Sequence, residues 1–183
     1  MKRKSTGKLI FDKLYQGIEW LSEELNKIVG VILIALSAPL VGVVLYAVFM
    51  RYVLNNAPTW SEEVARYLMV WMGLLASSIA LKKGQHIGLT AIVDKIFSSY
   101  KKYAHIAADL FMLFFFAVVF TQGVSMTKFV SIQRSPSANI PMWIPYMSVP
   151  AGSLLMLIQT ICLLLEKFKP QKKEEKWDYT SPF

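Results

Sequence analysis

Residues 28–54 read IVGVILIALSAPLVGVVLYAVFMRYVL, a run whose single charge, Arg51, stands near its end. An α-helix rises about 1.5 Å per residue, and a bilayer core about 30 Å thick is crossed by about 20 apolar residues. The run is long enough to span. Three more follow, at Val64–Leu81, Tyr103–Phe129 and Met142–Leu165. With 55% apolar residues and a mean hydropathy of +0.42, the chain is too greasy for an ordinary water-soluble domain.

The charges give an orientation. Of the 20 lysines and arginines, sixteen precede the first run, lie between the second and third, or follow the fourth. The other four, Arg51, Arg66, Lys128 and Arg134, flank the remaining connections. Such a bias predicts both termini in the cytoplasm. The formal charge of +8 then reflects topology and contact with anionic headgroups, not a nucleic-acid ligand. The sole cysteine, Cys162, lies inside an apolar run, which rules out an intrachain disulfide and leaves it as a packing residue. The basic start leads into a segment of mixed polarity, so the first span is expected to act as an uncleaved anchor.

The predicted fold is an all-α integral membrane protein with spans at about 28–54, 60–82, 102–129 and 142–166, within a transmembrane domain 28–168. A cytoplasmic amphipathic segment is expected at 1–27 and a cytoplasmic tail at 169–183. In the first of these and just past its end, Ile10, Leu14, Ile18, Leu21, Leu25 and Ile28 recur every three or four residues. That period fits a helix on the membrane surface and equally an extension of span one. A short cytoplasmic surface helix is expected between spans two and three, from His86 to Phe97. Pro39 can loosen span one, and Pro150, deeper in span four than Pro145, should kink or unwind it.

Charge within a span costs about 2.5–3.5 kcal/mol even on translocon-insertion scales, so ionisable residues there attract functional suspicion. The candidates are Glu62, Glu63, Arg66, His105 and Asp109, and all lie near predicted span ends. The middle third of each span carries no charge. An independent ion-coupled carrier needs an ionisable or strongly polar group at that depth. Ser77, Ser78 and Thr121 are better explained by hydroxyls bonded to their own helices; Gln159 is another deep polar group. Thr59 and Glu62 have capping-box spacing, and Arg66 lies four and three residues beyond the two acids. Two distant histidines make a poor haem pair, and no phosphate loop or nucleophile elbow is present. No catalytic residue, cofactor or metal site is therefore expected.

Several motifs occur in a telling order: Arg51-Tyr52-Val53-Leu54-Asn55, then Trp60-Ser61-Glu62-Glu63-Val64-Ala65-Arg66-Tyr67-Leu68 with Trp71, then Lys83-Gly84-Gln85-His86-Ile87. Later come Ile140-Pro141-Met142-Trp143 and Pro150-Ala151-Gly152. Together they resemble the small, four-span membrane subunit of TRAP (tripartite ATP-independent periplasmic) transporters. Ser77-Ser78 departs from the small Gly/Ala residues common there.

The resemblance implies a non-enzymatic subunit of a sodium-driven organic-acid uptake system in a bacterial inner membrane. Its cargo would be of sialic acid or C4-dicarboxylate type. Its partners would be a large subunit, holding the substrate and sodium sites, and a periplasmic substrate-binding protein. Arg51, Trp60, Glu62, Glu63, Arg66, Trp71, His86 and Pro150 are candidates for the structural or partner interface. Asn55, Asn56, Arg134 and Asn139 are candidates for contact with the binding protein. Two rival readings are an independent homo-oligomeric carrier and the membrane anchor of a redox enzyme.

Overall fold

The structure, a computed structural model, describes residues 3–82 and 101–168, with side chains over 16–82 and 106–165. His86, the expected surface helix around it and the tail at 169–183 lie outside the described residues. The described residues are almost wholly helical and contain no strand, only an isolated bridge between Arg134 and Pro141.

Helix α1, Arg3–Tyr52, is one unbroken helix of 50 residues. At about 1.5 Å per residue it is about 75 Å long, more than twice the thickness of a bilayer core. The amphipathic segment and the first span are thus parts of the same rod. Pro39 lies inside it without ending it. Helix α2 is Thr59–Lys82 and α3 is Lys101–Phe129, the latter followed by a 3₁₀ turn, Val130–Ile132.

The fourth apolar run is divided. A single turn, α4 (Trp143–Tyr146), precedes α5 (Ser148–Phe168), with Met147 between them. The expected disturbance at Pro150 takes this form. Both Pro145 and Pro150 fall in the first turn of their helix, where the missing N–H has no intrahelical partner to lose.

Four helices are long and apolar enough to cross a membrane: Gln16–Tyr52, Thr59–Lys82, Ile106–Ile132 and Trp143–Leu165. They form an open row rather than a closed bundle. Helix α1 packs on α2, α2 on α5, and α5 on α3; the N-terminal half of α1 also touches α5. Among the described residues, helix α3 meets neither α1 nor α2. Burial follows this order: 44% of the apolar window of α5 is buried, against 6% for α1 and 11% for α3.

Close approach sets the two central contacts. A Cβ on Gly152 of α5 would stand 2.8 Å from the Leu74 Cβ of α2. A Cβ on Gly123 of α3 would stand 3.0 Å from Val149 and 3.1 Å from Pro150. Glycine lets these helix backbones lie against neighbouring side chains, a packing mode that suits helices in a membrane. Elsewhere large apolar side chains face outward, including Val31, Ile34 and Leu45 on α1 and Phe111, Phe114 and Phe129 on α3.

Candidate functional site: the charged connection end

Both described connections stand at one end of the row. The first closes α1 at Asn55, whose φ of 50° is a left-handed conformation that asparagine tolerates. The chain then doubles back, so that the Asn56 amide donates to the Met50 carbonyl at 3.0 Å. The second connection runs from Gln133 to Met142. Its ends pair through Ser135 N–H to Ile140 O at 2.9 Å and Met142 N–H to Gln133 O at 3.0 Å. Asn139, with φ of 53°, turns the chain, and Arg134 donates to the Asn139 carbonyl at 3.2 Å.

The first turns of α2 hold both connections. Arg51, at the end of α1, forms an ion pair with Glu62. Tyr46 and Trp60 stack below it with ring centroids 5.8 Å apart. Glu63 points the other way. Its Oε2 accepts from the Ser137 amide at 3.1 Å and the Ala138 amide at 2.9 Å. Its Oε1 accepts from the Tyr67 hydroxyl at 2.7 Å, and that hydroxyl lies 3.4 Å from Met142 Sδ. One turn further, Trp71 Nε1 donates to the Ile144 carbonyl at 3.2 Å. Glu63, Tyr67 and Trp71 are spaced four apart, which puts them on one side of the helix. That side fastens the second connection and α4 to α2.

Two expectations about this cluster need correction. The capping box does not form: Glu62 is turned toward Arg51, and beside it the Ser61 hydroxyl donates to the Pro58 carbonyl at 2.6 Å. Nor do Glu62, Glu63 and Arg66 share one ion-paired group. Among the described residues, Arg66 forms no ion pair, and the residue is exposed. Between the two connections lies a cleft of about 320 Å³, whose lining includes Arg51, Pro58, Glu62, Glu63, Arg66 and Ser137. Pro150, named with these residues from sequence, sits apart from them and packs on Gly123.

A second polar group, missed as a unit from sequence, joins α1 to α5. The buried Ser22 hydroxyl donates to Gln159 Oε1 at 2.5 Å, and Gln159 Nε2 donates to Asn26 Oδ1 at 3.0 Å. Gln159 is deep and polar in the sequence, but its partners lie 137 and 133 residues away, beyond any local pattern. The other deep hydroxyls behave as expected. Ser77 donates to Gly73 O, Ser78 to Leu75 O and Thr121 to Val118 O, all within 3 Å. Asp109 is buried in α3, while the side chain of His105 lies outside the described ones. Among the described residues no group of three or more His, Cys, Asp or Glu is placed to hold a metal ion.

Four apolar helices in an open row, with charge gathered at a connection end, define a multi-pass membrane protein built around its surfaces. The chain belongs to the family of tripartite ATP-independent periplasmic transporters, DctQ component, which matches residues 40–169. It is 26% identical over 148 residues to the sialic acid TRAP transporter small permease protein SiaQ of Vibrio cholerae, covering 79% of this chain and 83% of that one. It is 29% identical over 107 residues to the isethionate TRAP transporter permease protein DctMQ of Oleidesulfovibrio alaskensis, covering 57% of this chain but only 17% of the relative. With the C4-dicarboxylate TRAP transporter small permease protein DctQ of Rhodobacter capsulatus it shares 23% identity over 99 residues, 53% of this chain and 44% of that one.

Proposed function

We propose that this chain is the non-catalytic small transmembrane subunit of a sodium-coupled TRAP transporter for organic acids. In this reading it lies in a bacterial inner membrane with both termini cytoplasmic. It packs on a large elevator subunit and braces that subunit's stationary frame. Sodium and substrate are held by the large subunit. The two connections face the periplasm and contribute to docking of the substrate-binding protein.

The observation that carries the reading is the open row. A self-sufficient carrier encloses a polar path, whereas here, among the described residues, α3 reaches neither α1 nor α2, and only 6% of the apolar window of α1 is buried. Such a row has wide apolar faces to offer a larger neighbour. Charge-free span centres support the same view. So do the matches to segments of much longer permease proteins, 17% of DctMQ and 21% of the sialic acid permease protein SiaT of Haemophilus influenzae. In those proteins the matched stretch is continuous with a far larger polypeptide. The relatives' names point to sialic acid, C4-dicarboxylate and isethionate, all organic anions, as the class of cargo.

The test is capture of the tagged chain in mild detergent from the cells that make it. A stoichiometric polytopic companion several times its size supports the reading; recovery as a homo-oligomer alone refutes it.

A further inference from the structure

We propose that the cleft between the two connections receives an acidic side chain of the docking substrate-binding protein, with Arg66 as the group that binds its carboxylate. The proposal rests on the reading that these connections face the periplasm and meet that protein.

Four charged side chains line the cleft: Arg51, Glu62, Glu63 and Arg66. Three are committed within the chain. Arg51 and Glu62 neutralise each other, and the Glu63 carboxylate is taken up by Tyr67 and two backbone amides. Arg66 is the exception, with no ion pair among the described residues although two acids lie within a turn of it. Its guanidinium offers five N–H donors in a planar fork that suits a carboxylate. The cleft is also of a size for a side chain, about 320 Å³, and is walled by residues of both turns, Pro58 and Ser137 among them.

The charge balance defines the kind of partner. Two acids and two arginines sum to zero, so an incoming anion meets Arg66, without an ion pair among the described residues, and no strong field. Such a site binds weakly and is sensitive to salt. Those properties fit a partner that must arrive, unload and leave. A lining of charged and turn residues gives no berth to acyl chains, which favours a protein carboxylate over a lipid phosphate.

The experiment uses proteoliposomes holding this chain with its large subunit, and follows uptake against the concentration of added binding protein. Arg66→Gln should raise the concentration for half-maximal uptake by about fivefold, the upper end for one exposed ion pair. Arg66→Lys should recover part of this, and added salt should weaken the parent more than Arg66→Gln. Asn56→Asp, a charge placed at the rim, serves as the control for docking itself. A shift with Asn56→Asp but none with Arg66→Gln overturns the arginine site and leaves docking intact. No shift with either overturns both. Loss of co-purification in Arg66→Gln would assign Arg66 to the large subunit. A defect that tracks anionic lipid content instead of binding-protein concentration would assign it to a lipid headgroup. Either result refutes the proposal.

Discussion

Glu62 and Glu63 are adjacent in the chain, yet they fasten different connections to the same turn of α2. Glu62 pairs with Arg51 at the end of α1, and Glu63 binds the amides of Ser137 and Ala138. The two fastenings differ in chemistry, and so should the effects of removing them.

The Glu63 clamp is the stronger. Hydrogen bonds to a charged group are stronger than those between neutral groups, and Glu63 takes two from the backbone of one turn. Glu63→Ala should speed hydrogen exchange at the Ser137 and Ala138 amides, which lose their acceptor. Glu63→Gln keeps one carbonyl oxygen and should fall between. Exchange unchanged in Glu63→Ala would show that the turn holds itself.

The Arg51–Glu62 pair is about half exposed on both sides, so water screens it. Pairs of this kind contribute about 0.2–1 kcal/mol. Arg51→Gln or Glu62→Gln should barely move the melting temperature in detergent, and the exchanged pair Arg51→Glu with Glu62→Arg should recover what is lost. A drop equal to that of Glu63→Ala would contradict this ranking.

Packing at Gly152 leaves no room for a methyl group, since the Leu74 Cβ would be 2.8 Å away. Gly152→Ala should destabilise the chain by about 1–3 kcal/mol, the range for overpacking. Shortening the obstruction beyond its Cβ does not relieve the contact, so Leu74→Ala should not rescue Gly152→Ala, whereas Leu74→Gly should. Gly123→Ala meets Val149 and Pro150 at 3.0–3.1 Å and should cost less. Thermal unfolding in detergent ranks the four variants.

The Ser22–Gln159–Asn26 group holds the N-terminal half of α1 against α5. Polar bonds between membrane helices average about 0.6 kcal/mol and reach about 1.7 kcal/mol. Gln159→Ala leaves the buried Ser22 hydroxyl without its partner and should cost toward the upper value. Ser22→Ala should cost less, because Gln159 keeps Asn26. Spin labels on α1 near Gln16 and on α5 should show a broader distance distribution in Gln159→Ala; an unchanged distribution would show that apolar packing alone fixes the arm.

Much of this was legible in the sequence because the bilayer imposes simple rules. Span lengths, charge-free centres and the self-bonded hydroxyls of Ser77, Ser78 and Thr121 follow from apolar runs and local geometry. The continuity of α1 did not follow, since Ile18, Leu21 and Leu25 keep the same period on a surface helix and on an extended span. Nor did the order of helices in the row, which depends on contacts such as Gly152 with Leu74 between distant segments. The role of Glu63 was hidden for another reason. Its partners are mostly backbone amides, which every residue but proline carries, while the nearby Arg66 made an ion pair look natural. The spacing of Glu63, Tyr67 and Trp71 was the one available clue.

Solute accumulation by sealed vesicles is the most direct test of the claim that this chain braces a carrier and does not itself carry. Vesicles holding the chain alone, under an inward sodium gradient, should take up no organic acid. Adding the large subunit inside the same membrane and the binding protein outside should start uptake, and leaving out this chain should abolish it. Accumulation by vesicles with no other polypeptide present would contradict the account.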